Sequence, residues 1–235
     1  MPKNVVQILV ISLLLSGWSL SVSALEVRLD KYLPYIEVLH EGNKVRVQRN
    51  QDQNHTISGG FAKTSRQCPP FCVQPMQVAP GIETVGELEL FQFMEVEVNA
   101  GSGILIDARL PNWHKKGTIP GSINIPFTVF NLAEDDPQLE KAMNRIGGIR
   151  KKEGSDEGMM EKLKQMVGDK KDTGPWDFSE AKNIVLWCNG MWCGQSPRAI
   201  HALLKHHFPP EKLKYYRGGM QSWRILGLTV VVPGK

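Results

Sequence analysis

The sequence predicts an α/β domain, a parallel sheet flanked by helices, with a small β-rich extension in front of it. Short strand-like runs recur after Pro80: "GILIDAR", "GSINIPF", "NIVLWC" and "LKYYRG". The first is almost wholly apolar, the type of strand that is buried on both faces of a parallel sheet. The helix-like "SPRAIHALLKHHF" lies between the last two, and strand, helix, strand in that order reads as a βαβ crossover.

The chain has 235 residues, 41% hydrophobic and 22% charged, enough to bury a core. Its formal charge is +4, with Lys and Arg scattered, which argues against a nucleic-acid face and supports at most a mild preference for small anions. At the N-terminus, Lys3 precedes an apolar stretch of roughly ten residues that closes on the small Val22, Ser23 and Ala24. This is the layout of a secretory signal over 1–24, cut after Ala24; the stretch is short of the ~20 residues of a membrane span. An exported, periplasmic or otherwise extracytoplasmic protein is expected, with no stable span after cleavage. Its four cysteines, Cys68, Cys72, Cys188 and Cys193, are then all candidate disulfide partners.

From 25 to 80 the pattern is irregular. In "YIEVLHEGNKVRVQR" a Glu41-Gly42-Asn43 turn separates two strand-like halves. "CPPFC" sets Cys68 and Cys72 around two prolines; without third and fourth ligands at zinc-like spacing it reads as a local disulfide or as separate structural cysteines. The following domain is expected over 81–232. "TVGELELFQFMEV" reads as a helix with Thr84 as N-cap and Glu87 three residues on. A charged tract over about 133–176 reads as a solvated helical insertion or a partner-docking surface, with helical spacing at Met159, Leu163 and Met166.

"LWCNGMWCGQSPRAIHALL" carries the chemistry. Cys188 closes an apolar strand, and a helix over 196–208 is expected with Ser196 as N-cap and Pro197 in the first position. Ile200, Leu203, Leu204 and Phe208 follow at helical spacing. The loop thus sits at the carboxyl end of a strand and the amino end of a helix, where open α/β sheets bind ligands. Gly190 and Gly194 let its backbone curl so that several N–H groups converge. Helix N–H groups stabilise anions, which lowers a thiol's pKa from ~8.5. A cysteine here is a candidate nucleophile, and the loop a candidate anion site made by Asn189, Gly190, Met191, Trp192, Gly194, Gln195, Ser196 and Arg198.

In order and spacing, "ILIDAR", "GTIPGSINIPF", "IVLWC" with its loop and helix, "YYRGGMQSW" and "GLTVV" resemble the rhodanese-like sulfurtransferases over about 80–232. The resemblance implies transfer of sulfane sulfur from a small anionic donor such as thiosulfate, through a cysteine persulfide, to cyanide or a thiol. It places the persulfide on Cys188. It implies structural support from Asp107 and Arg109 and from Gly218, Gly219 and Trp223 of the closing motif, and no metal or organic cofactor. Seven residues, Asn189 to Gln195, separate Cys188 from Ser196, more than is usual in single-domain relatives, and Gln195 replaces a common basic residue. Counting back from Arg198 instead makes Cys193 the nucleophile. Cys193 is alternatively a resolving thiol or half of a Cys188–Cys193 disulfide, which leaves a thiol–disulfide oxidoreductase and a non-catalytic sulfur-binding or interaction module as rival readings. A phosphatase loop would need Arg six positions after the cysteine, where Gly194 and Ala199 stand. Trp192 is expected to cover the site or pack on apolar neighbours. Trp113 and His114 are expected at the pocket mouth or in ordinary loop packing, and His201, His206 and His207 are expected to face solvent.

Overall fold

The computed structural model describes residues 25–151 and 174–234. The candidate signal and the spacing of Met159, Leu163 and Met166 lie outside the described residues. In chain order the elements are β1 (Tyr35–His40), β2 (Asn43–Gln48), β3 (Glu83–Val85), α1 (Glu87–Phe93), β4 (Gly103–Asp107), α2 (Pro111–His114), β5 (Ser122–Asn124), α3 (Pro137–Arg145), β6 (Ile149–Arg150), β7 (Trp176–Asp177), β8 (Asn183–Trp187), α4 (Gln195–Lys205), β9 (Leu213–Tyr216) and α5 (Gly219–Ile225). The main sheet runs β3-β9-β8-β4-β5, and every pair in it is parallel.

The apolar runs are strands buried on two faces, as their composition requires. Along β8, Ile184 and Leu186 enter one core while Val185 and Trp187 enter the other; in β4, Ile106 and Leu105 divide in the same way. Successive side chains of a strand point to opposite faces, so a sheet covered on both sides needs apolar residues at nearly every position. The first core lies under α3 and α4, which contribute Leu139, Met143, Ile200 and Leu203. The second lies under α1 and α5, with Leu90, Phe91, Met220 and Trp223.

The β-rich extension is part of this second core. β1 and β2 form an antiparallel hairpin whose turn residues Glu41 and Gly42 have φ of 49° and 80°, the left-handed backbone that two-residue hairpin turns use. Ile36, Val38 and Val47 are buried with Trp223 and Leu228. Backbone bonds from Asn50 N to Gly227 O (2.7 Å) and Thr229 N to Gln48 O (3.0 Å) tie the hairpin to the end of the domain.

Three local expectations are corrected. Thr84 belongs to β3; the first helix starts at Glu87 behind Gly86, whose N–H donates to Glu89 Oε2 at 3.0 Å. The strand took the residue because Thr84 pairs with Tyr215. The described front of the charged tract is not a solvated insertion: Asp136 caps α3 by accepting from Gln138 N (2.8 Å), and Leu139, Ala142 and Met143 are core. Finally, α4 ends at Lys205, and Phe208 is buried beyond it after a left-handed His207 (φ 63°).

Candidate active site

The thiol loop spans 188–194, between β8 and α4. β8 stops at Trp187, one residue earlier than expected, and α4 begins at Gln195 with Gly194 at its N-cap. Ser196 and Pro197 therefore lie inside the first turn rather than at the cap. The Ser196 hydroxyl, not engaged in capping, donates to Cys188 Sγ at 3.1 Å.

Two features hold the loop in shape. The Cys193 N–H closes a tight turn on Gly190 O at 2.9 Å, which folds the loop back on itself. From outside, the first N–H groups of α5 grip its start, Met220 N on Cys188 O (2.9 Å) and Gln221 N on Asn189 O (3.0 Å). This contact explains Gly219. Its φ is +53°, and a Cβ there would stand 2.3 Å from Cys188 O and 2.8 Å from Gly190 N. Trp223 anchors the same helix below, its Nε1 donating to Thr229 O at 2.7 Å.

Both site thiols are unbridged and nearly covered, Cys188 at 2% and Cys193 at 5% exposure. The candidate Cys188–Cys193 bridge is not formed; Cys188 Sγ points to Cys193 O at 3.2 Å. Asn189 Nδ2 donates to Cys193 Sγ at 3.7 Å, and Cys193 Sγ in turn faces the acceptor Gln195 Oε1 at 3.7 Å. Burial opposes ionisation of both. At Cys193 it is outweighed by the Cys188 thiol and by the N–H groups of Gln195 and Asn189, which bring the pKa down to about 7. At Cys188, burial and the neighbouring Cys193 push the thiol well above its ordinary range, despite the Ser196 bonds. These directions favour the negative charge of the pair on Cys193. The lowering expected at Cys188 falls instead on Cys193, through the N–H groups of Gln195 and Asn189.

Asp107 and Arg109 are a buried hub beside the loop, 0% and 1% exposed. Arg109 Nε and Nη2 meet the two carboxylate oxygens at 2.8 and 2.6 Å, and Thr118 Oγ1 and His114 Nδ1 each approach Oδ2 at 3.0 Å. The guanidinium lies over the Trp187 ring, 4.6 Å from its centroid, and so fixes the residue just before Cys188. His114 therefore serves this hub, while Trp113 is partly exposed under Lys116.

Other expected site residues are dispersed. Arg198 is exposed, above Phe127, and lines an outer groove of about 400 Å³ with Thr128, Asn131, His201, Ala202 and Lys205. It is not shown against either thiol. Of the three histidines expected to face solvent, His201 and His207 are exposed, whereas His206 is half-buried with Nε2 3.0 Å from Phe130 O. Met191 is exposed, and Trp192 packs edge-on to Phe71, 5.5 Å between centroids, with Arg66 over its ring at 3.8 Å.

Sequence reasoning missed Tyr215, Gln221 and the strap over 61–76. The buried Tyr215 side chain lies near Ser196 and both thiols, and burial together with Cys188 raises its phenol well above the ordinary range. Gln221 accepts from Trp192 Nε1 and donates to Phe61 O. Gln74 N bonds Met191 O at 2.8 Å, and Arg217 Nε and Nη2 hold Gln74 O at 3.0 and 2.8 Å. Only the alternation within "LKYYRG" hinted at any of these, by setting Tyr215 and Tyr216 on opposite faces.

A model of the rhodanese-like domain matches residues 94–226, more than half of the chain. The chain belongs to the rhodanese-like domain family. Similar solved structures include the human single-domain sulfurtransferase TSTD1, 16% identical over 62% of this chain and 96% of that one, TM-score 0.35. A protein of unknown function from Rhodopseudomonas palustris CGA009, described as a possible tyrosine phosphatase, is 18% identical over 66% and 88%, TM-score 0.38. A rhodanese-related protein from Thermoplasma volcanium is 18% identical over 59% and 92%, TM-score 0.29. No curated protein matches the chain. Among the described residues, no helix is long and apolar enough to cross a membrane.

Proposed function

We propose that this rhodanese-like site transfers sulfane sulfur from a small anionic donor such as thiosulfate, and that Cys193 is the thiolate that receives it. The observation that carries this reading is the convergence of the Asn189 and Gln195 N–H groups and the Cys188 thiol on Cys193, which brings its pKa to about 7. A thiolate present at neutral pH is the nucleophile that such a step requires. Cys193 sulfur attacks the outer sulfur of thiosulfate, the S–S bond breaks, and sulfite leaves with the bonding pair. The product is a Cys193 persulfide anion. A thiophilic acceptor, cyanide or a thiolate, then takes the outer sulfur and restores the Cys193 thiolate. Cys188 keeps its proton, which its Sγ directs to Cys193 O. The sequence alone favours Cys188 by its place at the strand end; the donor set around the second sulfur supports Cys193.

Export of the protein belongs to the same proposal. A signal-like N-terminus and the Cys68–Cys72 disulfide, which suits an oxidising compartment, support it.

The test is intact mass and peptide mapping of reduced protein after thiosulfate treatment. A gain of one sulfur atom on the peptide over 183–198, kept in Cys188→Ser and lost in Cys193→Ser, supports the reading. Loss only in Cys188→Ser returns the nucleophile to the strand end. Loss of two hydrogens without sulfur gain makes the loop a thiol–disulfide site, and no change makes the protein a non-catalytic module.

A further inference from the structure

The two reactive-loop thiols are almost closed to solvent, yet the strap that contacts their loop through Phe71 and Gln74 carries a disulfide. Cys68 and Cys72 are bridged within the strap, with Cys68 exposed and Cys72 half-buried. Between them Phe71 meets Trp192 edge-on, 5.5 Å between centroids. Cys72 O accepts from Gln74 Nε2 at 2.7 Å, and the Gln74 backbone N–H bonds Met191 O at 2.8 Å. The same Gln74 Nε2 lies 3.7 Å from where a Cβ on Gly194 would stand. Met191 and Trp192, the two residues before Cys193, therefore touch the segment 71–74.

We propose that Cys68–Cys72 is the redox port of the buried pair, exchanging with Cys188 and Cys193 through a Cys193–Cys72 mixed disulfide. The inference rests on the reading above in one respect, that Cys193 is the ionised thiol. The Cys193 thiolate attacks Cys72 Sγ; the Cys72–Cys68 bond breaks, and Cys68 leaves as a thiolate that takes a proton from solvent. Cys188 then gives its proton to solvent and attacks Cys193 Sγ. That forms Cys188–Cys193 and releases Cys72, which is protonated in turn. Two electrons pass from the loop to the strap, and the exchange needs no reactant besides these four cysteines. An attacking thiol works best when its pKa is near ambient pH, and an exposed leaving thiolate is solvated as it departs. The strap and loop touch through hydrogen bonds and ring contacts, so bringing the two sulfurs together breaks no covalent bond other than the one exchanged. Run in reverse, a solvent dithiol that reduces Cys68–Cys72 returns the loop to its thiol form. An exposed disulfide thereby sets whether a buried thiolate is available to accept sulfur.

The experiment omits any sulfur donor, so it can fail while sulfur uptake succeeds, and the converse. Full-length Cys188→Ser, which cannot complete the second step, is held near pH 8 without oxidant, acid-quenched, alkylated and mapped without reduction. The expected result is a disulfide joining the tryptic peptides 67–109 and 183–198 through Cys193, at a rate independent of protein concentration. Full retention of Cys68–Cys72 with Cys193 wholly alkylated would overturn the proposal, as would a crosslink whose rate scales with concentration. Should Cys188→Ser not fold, the same mapping on the wild-type protein supplies the answer. A Cys188–Cys193 disulfide gained in step with free Cys68 and Cys72 supports exchange; a loop that stays reduced beside an intact strap disulfide refutes it.

Discussion

Asp107→Asn removes the charge at the centre of the buried hub while keeping the side chain's shape. Arg109 is 1% exposed and its guanidinium meets both Asp107 oxygens, at 2.8 and 2.6 Å. The guanidinium's other contacts, the Gly117 carbonyl at 2.7 Å from Nη2 and the Trp187 ring, carry no full charge. The variant therefore leaves a cation buried without a counter-ion, and breaking a buried pair in this way costs about 3–5 kcal/mol. For a domain of this size that corresponds to a fall in Tm of roughly 6–20 °C. The loss is pH-dependent. Burial opposes the Asp107 charge, but the bonds from Arg109 and His114 outweigh it and hold the carboxyl below its usual range. A depressed folded-state pKa means that the stabilisation is fully present above the unfolded value of ~3.9 and lost as pH falls through the folded one. Urea denaturation of both proteins at pH 7 and at several values below 4 is the assay. The gap between them should be large at neutral pH and shrink in acid; a gap under about 1 kcal/mol at pH 7, the scale of an exposed pair, would refute the argument.

Three further outcomes are expected. Alkylation of Cys193 should titrate with a midpoint at about 7, with the reactive thiolate gained above it and lost below, while Cys188 stays unreactive in that range; a midpoint at or above the ordinary ~8.5 contradicts the donor set described here. Gly219→Ala should displace the thiol loop, because its Cβ meets Cys188 O at 2.3 Å in addition to the ~1–3 kcal/mol of a left-handed non-glycine backbone; unchanged stability and Cys193 reactivity would contradict it. Ile36→Ala should cost about 2–5 kcal/mol and lower a single unfolding transition, since the hairpin shares the second core; a separate early transition monitored at the hairpin would show that the extension unfolds alone.

The sequence by itself determined the sheet and the place of the site. Runs such as "GILIDAR" and "NIVLWC" are apolar at consecutive positions, which only a strand covered on both faces requires, and the order of strand, loop and helix put two cysteines at the sheet's carboxyl end. Gly218, Gly219, Asp107 and Arg109 were legible as support through motif resemblance alone. Their reasons, a helix start pressed on Cys188 O and a guanidinium laid over Trp187, are contacts between segments distant in sequence. Tertiary structure alone sets the surroundings of each thiol. Strand position pointed to Cys188, but burial and the neighbouring Cys193 raise that thiol, while the Cys188 thiol and the N–H groups of Gln195 and Asn189 lower Cys193. It also decided that Ser196 serves a sulfur rather than a helix cap, and that Arg198 faces an outer groove. The position of "CPPFC" was equally out of reach, because a local pattern of two cysteines and two prolines carries no information about what packs beneath it. Only the fold sets Phe71 against Trp192, more than a hundred residues on, through a contact that sequence periodicity does not encode.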